Sequence, residues 1–243
     1  MLMDERYERQ LVMPTIGEAG QARLEASRVL VVGAGGLGSP ILLYLAAAGV
    51  GTLGIADHDK VSESNLNRQI LYTTEDIGRS KVMTAVQRVR ALSPATKAIP
   101  HEEQVLRENG RQLLGGYDLV VEASDNLETK SLMNELCVDA GIPLVWAAVT
   151  RWEGQMGAYV PGHGCRACVF PELPEPGTYP SAAELGVIGA AAGVMGALEG
   201  AEALKLLLGV GDTLADRLLL WDGLHSTFDV VSYTRNPRCP VCG

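Results

Sequence analysis

A glycine-rich turn, Gly33-Ala-Gly-Gly-Leu-Gly38, constrains what this chain can fold into more than any other segment. It follows a short run rich in β-branched residues, 28–33, which predicts a buried parallel strand. The turn leads into a predicted helix over about 37–48, and a second strand is predicted over 52–57. Strand, glycine turn, helix and strand together form a βαβ unit, in which the helix N-terminus can approach a phosphate group.

The rest of the chain continues this alternation and predicts an α/β fold, Rossmann-like, with a mostly parallel sheet and flanking helices. The second half, with its Pro- and Gly-rich stretch at 161–180, is less regular. Helices are expected over 81–92, 103–115, 126–140 and 187–207, with helix and turns over 5–26, and further strands at about 95–100, 118–123, 143–148, 155–160 and 217–221.

Composition and charge exclude several classes of protein. Hydrophobic residues make up 47% and charged residues 20%, which excludes a disordered polyelectrolyte. Twenty Lys and Arg against 29 acids give a net charge of −9, which argues against nonspecific binding to nucleic acid or to anionic lipid. The charged first residues lack the apolar core of a signal peptide, so a cytoplasmic location is expected.

One uncharged segment, 29–56, is long enough to span a bilayer. Several glycines and Pro40 interrupt it, and the βαβ unit explains it better than a membrane span does. No membrane association is therefore expected.

The turn matches a dinucleotide-type phosphate loop through Gly33, Gly35 and Gly38. Asp57 ends the second predicted strand, 24 residues after Gly33, where a carboxylate can accept hydrogen bonds from ribose hydroxyls. The alternative is that the glycines only pack helix on sheet and that Asp57 only begins a turn. The pattern alone does not choose between NAD and ATP.

Polar residues that follow favour ATP. Asn65, Arg68 and Gln69 lie in a polar stretch, 58–80, and Lys81 opens the next predicted helix. Asp125 follows the fourth predicted strand. Singly, each cation would more often be a solvated surface charge. Together, two cations, an amide and an acid near strand ends suit a triphosphate with Mg²⁺ better than a nicotinamide cofactor.

Two Cys-x-x-Cys pairs, Cys165 with Cys168 and Cys239 with Cys242, lie 70 residues apart. Four thiolates can form a closed tetrahedral zinc site, and we expect a structural Zn²⁺ here. A thioredoxin-like redox pair and an iron–sulfur cluster are the alternatives. The fifth cysteine, Cys137, lies at apolar helical spacing and is expected in the core.

The combined motifs resemble the MoeB/ThiF family, bacterial relatives of the ubiquitin-activating enzymes, along almost the whole chain. The matching segments are Arg6–Gln10, Gly33–Gly38, Asp57, Asn65–Gln69, Lys81, Ser124–Asn126, Arg151–Gln155 and both cysteine pairs.

The resemblance implies adenylation of the C-terminal glycine of a ubiquitin-like sulfur carrier ending in Gly-Gly, with Mg·ATP as the donor. The carrier would serve molybdopterin, thiamine or thiolated-tRNA synthesis. Carried over by position, Gly36 would contact the nucleotide and Asp57 the ribose, while Asn65, Arg68 and Lys81 would hold the phosphates and Asp125 the Mg²⁺.

The resemblance also implies an organisation for the chain. Arg9 would reach into the site of a partner subunit, so a homodimer is expected. We expect a single adenylation domain over 1–243, with an N-terminal helical arm (1–27), a nucleotide-binding half (28–150) and a carrier-binding and zinc half (151–243).

One position departs from the family pattern. Many relatives carry a cysteine in the crossover loop, whereas this chain has Pro180-Ser-Ala-Ala-Glu184, with Ala182 in that place. A covalent step through this position is therefore excluded, and Cys137 is a poor substitute. With Gly243 directly after the second cysteine pair and no sulfurtransferase segment in view, a separate sulfur donor is expected. An NAD-dependent oxidoreductase and a non-catalytic carrier-binding scaffold remain the competing hypotheses.

Overall fold

A single mixed sheet organises the chain. The computed structural model describes residues 5–172 and 182–243, and within these ranges eight strands form one sheet in the order β3-β2-β1-β4-β5-β6-β7-β8. The strands are β1 (Arg28–Val32), β2 (Thr52–Ala56), β3 (Lys97–His101), β4 (Leu119–Glu122), β5 (Leu144–Thr150), β6 (Glu153–Tyr159), β7 (Arg217–Asp222) and β8 (Thr227–Ser232).

Strands β1 to β5 are parallel, and β6 to β8 continue the sheet antiparallel. The helices are α1 (Glu8–Leu11), α2 (Gly17–Ala26), α3 (Gly38–Ala47), α4 (Lys81–Leu92), α5 (Arg107–Leu114), α6 (Leu127–Ala140), α7 (Arg166–Val169), α8 (Ala182–Leu185) and α9 (Gly189–Leu208). The predicted α/β class with a mostly parallel sheet and flanking helices is confirmed.

The two faces of the sheet bury separate apolar clusters. Alternate residues of a strand point to opposite faces, so Val31 of β1 packs with α2, α3, α4 and α9, whereas Leu30 packs with α5, α6 and the cysteine segment. Buried apolar side chains on both faces explain why the predicted parallel strands are continuous hydrophobic runs.

The predicted helix and turns over 5–26 are confirmed as a short 3₁₀ helix at Glu5–Tyr7 followed by α1, a turn and α2. One helix prediction needs correction, because the helix predicted over 103–115 begins only at Arg107. Strand β8 was not predicted, and its six residues are all exposed, without the alternating burial of a strand that covers a core. No helix among the described residues is long and apolar enough to cross a membrane.

The chain order reverses direction at β1, which lies between β2 and β4. In parallel α/β sheets this switch point leaves a crevice outside the carboxyl ends of the strands, where ligands bind. The glycine turn after β1, Asp57 after β2 and Asp125 beyond β4 all lie at this edge.

A buried acid, Glu199, lies on α9 against the sheet. The side chain is fully buried, and among the described residues neither carboxylate oxygen has a well-formed hydrogen bond. Burial raises the pKa of Glu199 well above its usual value; Lys130 and the Ala147 amide only partly oppose this. The folded protein therefore holds Glu199 protonated in conditions where the unfolded chain releases the proton.

We expect Glu199→Gln to change how stability depends on pH. The raised pKa in the folded state makes the wild-type free energy of unfolding fall as pH rises above about 4.5, the ordinary value for this carboxyl group. The variant lacks this loss, so its melting temperature should gain a few degrees on the wild type between about pH 5 and about pH 8.

The control is Glu202→Gln on the same helix, where the native carboxylate contacts Lys205 and accepts from the Leu214 amide. Glutamine can still accept from the Leu214 amide, but losing the charge that pairs with Lys205 should destabilise the control rather than stabilise it. Identical pH dependence of melting in Glu199→Gln and the wild type would show that Glu199 ionises normally.

Candidate functional site

The glycine turn is pressed against the end of β4. Gly33 has a φ of +98°, and a Cβ placed there would lie 2.7 Å from the backbone carbonyl of Ala123. A side chain is thus excluded both by conformation and by space. A Cβ on Gly38 would lie 2.0 Å from the oxygen of Gly33, so the start of α3 also needs glycine. The close approach brings the turn beside the loop that carries Asp125.

Asp57 holds the glycine turn. Its carboxylate accepts from the amide of Ala34 at 2.9 Å and from the amide of Asp59 at 2.9 Å. The Tyr72 hydroxyl donates to the Ala34 carbonyl at 2.7 Å. Burial and the nearby Asp57 charge raise the pKa of Tyr72, which keeps this hydroxyl protonated as a donor. Asp57 remains half-buried, and its oxygens keep lone pairs for a ribose hydroxyl.

Arg68 lies beside the second half of the glycine turn. A Cβ on Gly36 would lie 3.6 Å from the Cγ of Arg68. The guanidinium donates to the Ser64 carbonyl at 2.9 Å and to the Asn67 side chain at 3.0 Å. The Asn65 side chain accepts from the Ser62 amide at 3.2 Å, which shapes the same short 3₁₀ turn.

Lys81 is nearly buried at the start of α4, and its Nζ lies 2.8 Å from a carboxylate oxygen of Asp59. The hydrogen bond from Lys81 leads the interactions that lower the pKa of Asp59, while partial burial opposes them. The Lys81 ammonium has three donors, so it can donate to a phosphate while it keeps its bond to Asp59. Asp59 and Tyr72 bond to candidate site residues, and sequence reasoning did not identify either of them.

Asp125 is exposed in the loop between β4 and α6. The next residue, Asn126, caps α6 by accepting from the Thr129 amide at 2.8 Å. The Asp125 carboxylate is an oxygen ligand of the kind Mg²⁺ prefers, and it lies on the loop that packs on Gly33. The described residues thus bring together the glycine turn, Asp57, Arg68, Lys81 and the Asp125 loop.

Arg9 is not brought to this site. Its neighbour Gln10 donates to the Ala48 carbonyl at 3.0 Å, at the far end of α3 from the glycine turn. The ten residues of α3 separate the two places by about 15 Å along the helix axis. Arg9 is exposed there, which is compatible with a role in the site of another subunit.

The four paired cysteines converge. Their Sγ atoms all lie within 4.8 Å of one another. The Sγ atoms of Cys165 and Cys239 are 3.7 Å apart, and those of Cys168 and Cys242 are 3.5 Å apart. Zinc–sulfur bonds of about 2.3 Å in a tetrahedron place sulfurs about 3.8 Å apart. The cluster can hold a zinc ion.

Donors around the sulfurs suit thiolates. The Cys168 sulfur accepts from the Asn236 amide at 3.4 Å, and the Cys165 sulfur accepts from the Asn134 side chain at 3.5 Å. Although burial opposes it, amide donation from Cys242 and Val241 lowers the pKa of Cys239 to about 7. Burial raises the pKa of Cys165 to about 12, so a metal is needed to hold that thiolate at neutral pH.

Cys137, the cysteine outside the cluster, lies in the core, whereas most of the crossover loop lies outside the described residues. Cys137 is fully buried on α6, as expected for a core residue, and burial raises the pKa of its thiol. A buried neutral thiol is a poor nucleophile. Residues 173–181, which include Pro180, lie outside the described residues, and α8 begins at Ala182.

Comparisons with known proteins agree with this arrangement. The sequence model of the ThiF family matches residues 7–241. The chain is 48% identical over 245 residues to a Thermus thermophilus protein named sulfur carrier protein adenylyltransferase, spanning 98% of this chain and 90% of that protein. It is 47% identical over 239 residues to the SAMP-activating enzyme E1 of Haloferax volcanii, spanning 98% of this chain and 88% of that enzyme.

A crystal structure of E. coli MccB with MccA-N7isoASN has a TM-score of 0.87, covering 99% of this chain and 75% of that chain. At 20% identity this similarity shows the fold alone. The family match and the two relatives go further, because they extend along nearly the whole chain. The chain belongs to the ThiF family.

Proposed function

We propose that this protein adenylates the C-terminal glycine of a ubiquitin-like sulfur-carrier protein, with ATP and Mg²⁺. The observation that carries the proposal is the convergence of Arg68, Lys81 and Asp125 on the glycine turn at the carboxyl edge of the parallel strands. The names of the Thermus and Haloferax relatives support the same chemistry.

In this reaction a carrier carboxylate oxygen attacks the α-phosphorus of ATP. The new oxygen–phosphorus bond forms as the bond to pyrophosphate breaks, and pyrophosphate leaves. The carboxylate is already ionised at neutral pH, so the step needs no general base. When bound, Mg²⁺ would neutralise and orient the phosphates.

The chain's own residues act by position and charge. Gly36 leaves room for a phosphate, and Asp57 accepts from the ribose. Arg68 and Lys81, with Asn65 shaping their loop, stabilise charge that builds on the phosphoryl oxygens. Asp125 supplies an oxygen ligand for Mg²⁺.

The second half supports the proposed carrier docking. The sheet ends at β8, whose six residues are all exposed. Phe228 and Val230, which share one face of β8, are each about half exposed, and Leu224 in the preceding turn is 65% exposed. Exposed apolar side chains at a sheet edge suit an interaction surface. We assign it to the globular part of the carrier, with the flexible tail directed to the glycine turn.

The remaining partners follow from the cysteines and from Arg9. The four clustered cysteines could together hold a zinc ion, and Cys137 is buried, so sulfur would come from a separate donor rather than through a cysteine of this chain. The exposed position of Arg9, away from its own chain's site, supports a homodimer in which it completes the partner's site.

The proposal is tested by pyrophosphate exchange. The purified protein is incubated with Mg·ATP, labelled pyrophosphate and each of several Gly-Gly-ended carriers. Reversible adenylation should move label into ATP only when an accepted carrier is present. No exchange with any carrier would contradict the proposal.

Ligand-dependent melting separates the competing hypotheses. Mg·ATP, rather than NADH, should raise the melting temperature, because a ligand stabilises the folded state to which it binds. Protection by NADH alone would favour an oxidoreductase. Tight carrier binding without AMP transfer, unchanged in Lys81→Ala, would favour a non-catalytic scaffold.

A further inference from the structure

A buried ion pair lies directly beneath the Asp125 loop. Lys130 of α6 donates from Nζ to Glu122 of β4 at 2.7 Å. The side chains are 3% and 0% exposed, respectively. Glu122 is the last residue of β4, so the pair joins the end of a central strand to the first turns of α6.

The pair forms hydrogen bonds with both the backbone N–H and the backbone C=O of Ser124 in this loop. The amide and the hydroxyl of Ser124 both donate to Glu122, the amide at 2.9 Å. The Ser124 carbonyl accepts from the Nζ of Lys130 at 2.8 Å. Ser124 therefore has both of its backbone polar groups bonded to the pair, and it immediately precedes Asp125.

The other side of the loop is fixed by the glycine turn. The Ala123 amide donates to the Val32 carbonyl at 2.7 Å, and the φ of Gly33 lets the two backbones touch. These contacts restrict the backbone conformation of the loop while the pair is intact. Because Asp125 directly follows Ser124, the direction of its side chain depends on how Ser124 is held.

Stability alone does not explain such a pair. Burying two charges costs several kcal/mol for each ion before their attraction is counted, and apolar residues of similar volume often stabilise a core as well or better. What apolar residues cannot supply are the three hydrogen bonds to Ser124. The pair is thus suited to orienting the loop.

We infer that Lys130, together with Glu122, is a positioning residue that fixes the Ser124 backbone and thereby directs the Asp125 carboxylate toward Mg²⁺ at the nucleotide site. The inference rests on the proposed function and deepens it. Neither side chain touches the metal. Their effect passes through Ser124, and loss of the pair weakens metal binding without removing a ligand.

The sharpest test replaces both charges with an apolar pair. Glu122→Met with Lys130→Met in one chain should keep a melting temperature close to the wild-type value, because neither member of the pair is left buried without the other. The Mg²⁺ concentration that half-saturates carrier-dependent exchange should nevertheless rise by about 10-fold to 100-fold, as for other groups that orient metal ligands. The KM for the carrier should stay within about twofold of the wild-type value.

Metal binding is also measured without turnover. Titration of Mn²⁺ into the protein with a non-hydrolysable ATP analogue, followed by electron paramagnetic resonance, should show the same weakening in the double variant. Lys130→Arg keeps the charge and two or more donors, and it should recover part of the affinity. Lys205→Met is the matched control, since it removes a lysine from a buried glutamate on α9, away from the loop.

The outcomes separate the two proposals. If wild-type protein shows no exchange with any carrier, the proposed function fails, while Mn²⁺ binding still tests the loop. If the folded double variant has wild-type Mg²⁺ dependence and wild-type Mn²⁺ binding, the positioning role is overturned. Equal weakening by Lys205→Met would also overturn it, because a general loss of stability would then explain the result.

Discussion

Replacing Asp125 with alanine is expected to lower carrier-dependent pyrophosphate exchange by at least about 100-fold, the scale on which one electrostatic contact to a transition state acts. The carboxylate is exposed in the loop after β4, so its removal leaves no cavity in the core. The melting temperature without ligand should therefore stay close to the wild-type value. Initial exchange rates at saturating ATP and carrier measure the effect.

Two further variants are compared with Asp125→Ala, one in the candidate site and one as a control. Arg68→Ala should cause a loss of similar size, because the Arg68 side chain lies beside Gly36, where the phosphates are expected. Asp139→Ala is the control: it removes an acid from the other end of α6, where it pairs with Arg111 on the surface. Wild-type exchange in Asp125→Ala would remove Asp125 from the site, and a comparable loss in Asp139→Ala would show that the assay reports helix damage.

Replacing Cys239 with serine is expected to release the metal and destabilise the whole second half. A hydroxyl is a poor substitute for a zinc thiolate, so bound zinc should fall from about one ion per chain to near zero. Loss of a metal site is among the largest single-residue effects, and the free energy of unfolding should fall by about 4 kcal/mol or more. Metal content by mass spectrometry and urea denaturation measure the two effects.

Cys137→Ala provides the comparison for this variant. It also replaces a buried cysteine, but one on α6 that lies outside the four-cysteine cluster. It should lower stability through a small cavity and leave the zinc content unchanged. Full zinc content in Cys239→Ser would show that the two Cys-x-x-Cys pairs do not share an ion.

Local sequence signals predicted the parallel half well because each signal had a direct structural cause. The β-branched run at 28–33 forms a strand because it is buried on both faces, and Gly33 is needed where φ is positive and backbones touch. The spacing within each cysteine pair predicted the cluster, although 70 residues separate the pairs.

What the sequence did not predict depends on contacts between distant segments. The partner of Lys81 proved to be Asp59, and Tyr72 bonds the glycine turn across the loop. Glu122 did carry a signal: an acid inside an apolar strand needs a buried partner. Lys130 could have been suggested on that basis, but only the fold shows that both side chains meet at Ser124.

The most direct test of the account uses one accepted carrier in two forms. Pyrophosphate exchange is measured with the intact carrier and with the same carrier lacking its terminal glycine, each at saturating concentration. Rapid exchange is expected with the intact carrier and none above background with the truncated form, since a tail one residue shorter ends about 3.5 Å short of the α-phosphorus. Equal exchange with both forms, or exchange without any carrier, would contradict the account.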